Sequence, residues 1–90
     1  MKEGEFVVAS VGTRTDFLRA ELLVGMTRAK IAQNATEDGK RERNRLEARK
    51  AYNTVLRFLP PTVLSQGERL GIDSKLTELR FVLQSLGENV

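Results

Sequence analysis

The chain contains no cysteine, no histidine and no tryptophan, and only two prolines among its 90 residues. Without cysteine there can be no disulfide and no thiolate metal site. Without histidine the commonest general base and the commonest metal ligand are both missing. Long apolar runs are also lacking. The longest, such as Phe6-Val7-Val8-Ala9, falls far short of the ~20 residues that span a bilayer, and the first residues, MKEGEFVVASVG, hold two early glutamates and no extended apolar region. The expectation is a cytoplasmic protein that needs no metal, cofactor or membrane.

What is present suits an ordinary small globular domain. With 40% hydrophobic and 30% charged residues the composition is neither that of a disordered tail nor that of a membrane protein. At this length only roughly 60–65% of the unfolded chain's surface can be buried, so the core must be thin and stability must come from packing. A net charge of +3 gives a weak general attraction for anions and no more.

Three segments carry helical periodicity. Leu18, Leu22, Gly25, Ala29 and Ala32 step by four, three, four and three, which places them on one helical face. Thr13 or Thr15 could cap that helix, with Asp16 in its first turn. Gly25 costs about 1 kcal/mol relative to alanine in a helix interior, tolerable if its bare backbone lets a neighbouring helix come close. After the break at NATEDGK, where Thr36 or Asp38 could cap, a second stripe runs through Ala48, Ala51, Tyr52, Val55 and Leu59 until Pro60-Pro61 stops it. The first two turns of this second helix, KRERNR, offer no apolar residue. Ser65-Gln66-Gly67-Glu68 is a capping box, and Ile72, Leu76, Leu79, Leu83 and Leu86 follow with Gly87 as the C-terminal stop.

These elements predict an all-α fold, an antiparallel up-down-up three-helix bundle over residues 13–87, with helices near 14–35, 38–59 and 66–86 and an N-terminal arm over residues 1–12. Tyr52, Leu76, Leu79 and Leu83 are expected in its core. Residues 5–12 would suit a strand by composition, but the chain has no second strand-like run to pair with them.

Ala48, Tyr52, Val55-Leu56 and Pro60 resemble the second helix of a tetratricopeptide repeat, although Val55 stands where that family has a small residue. Only Val24-Gly25 echoes the family's first helix. The three-helix layout is similar, more loosely, to the microtubule-interacting-and-transport domain, which binds partner helices in a groove between its own. Both resemblances imply a protein-binding scaffold by analogy of fold.

For catalysis the residues are wrong. Ser10, Ser65, Ser74 and Ser85 have no histidine to activate them, no carboxylate pair is placed for acid/base work, and no glycine-rich phosphate loop is present. The expectation is a non-catalytic helical module for protein interaction or scaffolding, with a second copy of the chain as one possible partner. The alternative rests on KRERNRLEARK, six cations against two anions. Arg43, Lys50 and Arg57 recur every seven residues and could follow phosphates, with Lys40 beside them. Against nucleic acid, no aromatic is interleaved for base stacking, and Arg43/Glu47, Glu42/Arg45 and Glu47/Lys50 have the spacing of self-neutralising pairs on a solvated helix. Lys40, Arg43, Lys50 and Arg57 are therefore the candidate polar contact residues. Phe58, Leu70, Phe81 and Val82, which exceed the three core stripes, are the candidate apolar interface.

Overall fold

The computed structural model describes residues 14–90 down to their side chains; the arm expected over residues 1–12 lies outside them. Three helices follow one another: α1 (Lys2–Asn34), α2 (Asp38–Phe58) and α3 (Gln66–Ser85). Cross-helix contacts fix the up-down-up order. Phe17 of α1 meets Phe58 at the end of α2, Arg28 reaches Asn44 near the start of α2, and Gln33 bonds Ser85 at the end of α3.

The core is built from the three stripes. Leu18, Leu22, Ala29 and Ala32 of α1, Ala48, Ala51, Tyr52, Val55 and Leu59 of α2 and its cap, and Ile72, Leu79 and Leu83 of α3 are all buried. Leu76 is half-buried and packs against this core, as do Leu64 in the loop and Val82 and Leu86 at the end of α3. Each fully buried leucine contributes about 1.5–3 kcal/mol relative to leaving it exposed.

At Gly25 the neighbouring helices approach tightly. A Cβ built there would lie 2.7 Å from Leu79 Cδ2 and 3.1 Å from Ala51 Cβ, both shorter than ordinary contact. The absent side chain is thus a notch for Leu79, which is wholly buried. The backbone of α1 runs near that of α2 at many positions and near α3 at fewer, whereas few positions of α2 and α3 lie near one another.

The caps differ in how far they follow the expected residues. Ser65 and Glu68 form the capping box: the Glu68 amide donates to Ser65 Oγ at 3.1 Å and the Ser65 amide donates to Glu68 Oε1 at 2.9 Å. That backbone bond, more than any charge, holds the Glu68 carboxyl below its ordinary value. α3 therefore starts at Gln66, despite Gly67 and Gly71 in its first two turns. At its other end Gly87 takes φ +90°. The Gly87 amide bonds Gln84 O and the Glu88 amide bonds Leu83 O, each at 3.0 Å, a Schellman closure. At the start of α2 neither Thr36 nor Asp38 caps. Glu37 occupies the cap position with no side-chain bond, and Asp38 sits in the first turn where the helix dipole favours it. Thr15 likewise lies buried inside α1, not at its start.

The basic beginning of α2 is also not wholly outside the core. Asn44, four residues before Ala48, continues the buried stripe by one turn. Its Nδ2 donates to Lys40 O at 2.8 Å and its Oδ1 accepts from Arg28 at 3.2 Å, so both ends of the amide are satisfied.

Candidate functional site

The candidate cations are all exposed and are spread along α2 from one end to the other. Lys40 and Arg43 lie at the α1–α2 turn, where they line a shallow depression of about 470 Å³ with Arg28, Ile31, Leu46 and Glu47. Lys40 also borders a second depression there, with Lys30. Lys50 is 3.8 Å from Glu47, and Arg57 lies over the Phe58 ring at 5.8 Å, at the opposite end of α2. The expected Arg45–Glu42 and Lys50–Glu47 pairs form. Arg43 and Glu47 face the same depression without an ion pair among the described residues.

Arg45 and Arg49, by contrast, turn toward α3. Between them lies the carboxylate of Glu88, whose side chain is only 8% exposed; Arg49 reaches it at 2.5 Å and Arg45 also contacts it. Nothing in the local spacing of KRERNRLEARK announces this pair, because its acid comes from 39 residues further along and is aimed by the Gly87 turn. Two of the six cations in that stretch are therefore structural, and Arg41, which donates to Ala35 O at 2.8 Å, is a third.

The candidate apolar residues separate as well. Val82 packs against the core. Phe58 meets Phe17 edge to face, with ring centroids 5.8 Å apart and planes at 88°, in a shallow hollow lined also by Arg14, Pro61 and Thr62. Such aromatic pairs add about 0.5–1.5 kcal/mol, and this one staples the open end of the α1–α2 hairpin. Leu70 and Phe81 stay on the surface, 64% and 73% exposed.

Sequence reasoning misses the groove between α1 and α3. About 360 Å³ in volume, it has Leu22, Met26 and Ile72 along its floor, with Leu23 exposed at its edge. Gly67 and Gly71, one turn apart, form the α3 shoulder, and a Cβ at either would meet nothing within 4 Å. Arg19, Lys75, Glu68 and Glu78 rim it with both signs of charge. The two glycines are the signal that could have found it: they remove side chains from the side of α3 that would otherwise close over α1.

No family model matches the chain, and no curated protein and no solved structure matches it either. No helix is long and apolar enough to cross a membrane among the described residues.

Proposed function

We propose that this chain is a non-catalytic helical module for protein interaction or scaffolding. The observation that carries the reading is the α1–α3 groove, an apolar channel with a bare glycine shoulder and a polar rim of mixed charge. Such a channel suits the apolar edge of a helix or an extended segment, with rim charges setting its register. The weak likeness of α2 to a tetratricopeptide-repeat helix supports the same class of function.

A second reading, polyanion binding, is favoured by one observation: α1 brings Arg28 and Lys30 beside Lys40 and Arg43 at the α1–α2 turn. One experiment separates the two. Immobilised wild-type chain and a Leu23→Glu variant are exposed to cell extract with and without nuclease, and the retained proteins are compared by mass spectrometry. Interaction through the groove predicts proteins retained by wild type, resistant to nuclease, and reduced at least about tenfold by the variant, since a charge is set at an apolar contact. Retention abolished by nuclease, and equal for both chains, would favour the polyanion reading instead.

A further inference from the structure

The outer face of α3 departs from what a solvated helix face should be. Ile72, Leu79 and Leu83 point into the core. At about 100° per residue, the line opposite them runs through Leu70, Ser74, Thr77 and Phe81. All four are exposed and none is charged. Leu70 and Phe81 are among the most exposed large apolar side chains of the described residues. Thr77 spends its hydroxyl hydrogen on Asp73 O, to which it donates at 2.9 Å.

The line has a two-fold pattern. Reversing α3 about the point midway between Lys75 and Leu76 exchanges Leu70 with Phe81 and Ser74 with Thr77. Large residues then meet large ones at the two ends, and small ones meet at the centre, where two helices could approach closely. The charged flank obeys the same operation. Asp73 and Arg80, seven residues apart on one flank of the line, would each lie within about 3 Å along the axis of the opposite charge on a reversed copy. Arg80 makes no ion pair among the described residues, while Asp73 has only the exposed Arg69 at 3.4 Å.

We propose that the outer face of α3 is a self-association surface, on which a second copy of this chain docks antiparallel across a two-fold axis. Leu70 packs against the partner copy's Phe81, and Asp73 pairs with the partner copy's Arg80, each contact occurring twice as an isologous interface requires. This rests on the reading of the chain as an interaction module and names one partner for it. A single helix face some three turns long buries less than the roughly 1,000 Å² of durable complexes, so the dimer is a weak one that forms at high concentration.

Sedimentation equilibrium of the full chain between about 10 and 500 µM tests it. The weight-average mass is expected to rise from 10.1 kDa toward twice that value. Phe81→Asp should hold the chain at one mass throughout, with an unchanged far-ultraviolet spectrum. Asp73→Arg and Arg80→Asp should each weaken dimerisation roughly tenfold, since two pairs per dimer become like-charge contacts, and the double variant should restore it to within about threefold. A wild-type mass fixed at 10.1 kDa, or a dimer indifferent to Phe81→Asp, overturns the inference. If such a chain still retains partners lost on Leu23→Glu, the interaction reading survives; if it retains none, both fall.

Discussion

Gly25→Val is expected to lower stability by about 3 kcal/mol. In a domain of this size that corresponds to a fall of roughly 12–24 °C in Tm. The added side chain has nowhere to go. Leu79 Cδ2 and Ala51 Cβ already stand inside normal contact distance of the first carbon it would introduce, and Leu79 is sealed in the core while Ala51 Cβ moves only with its backbone. Gly25→Ala is the sharper diagnostic because two effects oppose. Alanine gains about 1 kcal/mol of helix propensity, whereas forcing Leu79 aside costs about 1–3 kcal/mol. A notch predicts a net loss; a flexible hinge at Gly25 predicts a gain. Leu79→Ala alone should cost about 2–5 kcal/mol. Combined with Gly25→Ala it should cost less than the two separate losses by about 1 kcal/mol or more, since the new methyl enters the space that the leucine leaves. Thermal and urea unfolding of the four chains gives the cycle.

The second large effect is expected at Glu88. Glu88→Ala should cost about 2 kcal/mol, or roughly 8–16 °C in Tm. Its carboxylate is almost wholly covered and serves Arg45 and Arg49 together, so its removal leaves two largely covered guanidinium groups side by side, with only Glu42 still paired to Arg45. The side chains of Arg45 and Arg49 are 23% and 32% exposed, which lets water relieve part of the penalty and keeps the loss below the ~3–5 kcal/mol of a fully buried broken pair. Because the backbones of α2 and α3 approach each other at few positions, the loss should be concentrated at the end of α3. Amide exchange at Gly87 and Glu88 should accelerate far more than at Leu18 or Val55. Uniform acceleration across the bundle would mean that the pair contributes only to global stability and does not clip α3 to α2.

The core was legible in the sequence because helical burial depends on spacing, and spacing is written locally. Every residue of the α1 stripe, every residue of the α2 stripe and the Ile72, Leu79, Leu83 positions of α3 became buried as their period demanded. The capping box, a four-residue pattern, and the Gly87 stop, a single residue, were equally local and set both ends of α3. Contacts between distant positions were not written that way. That Leu79 enters the Gly25 notch, that Glu88 pairs with Arg45 and Arg49, and that Arg28 completes Asn44 all depend on how the helices are rotated against one another. Thus a stretch whose charges seemed to belong to one solvated face divides in the fold: Arg45 and Arg49 are spent on α3, while Lys40 and Arg43 remain at the turn. The groove stayed hidden for the opposite reason, since it is defined by side chains that Gly67 and Gly71 do not have.

The central claim is that this chain makes contact through its uncovered apolar surfaces and not through its basic stretch. Site-resolved photo-crosslinking in living cells tests it most directly, with a benzophenone side chain placed singly at Leu23 in the groove, at Phe81 on the outer face of α3, and at Arg43 in the basic turn. The account predicts discrete protein adducts from Leu23 and Phe81, the latter including the chain's own second copy, and none above background from Arg43. Adducts formed mainly at Arg43, and removed by nuclease, would contradict it.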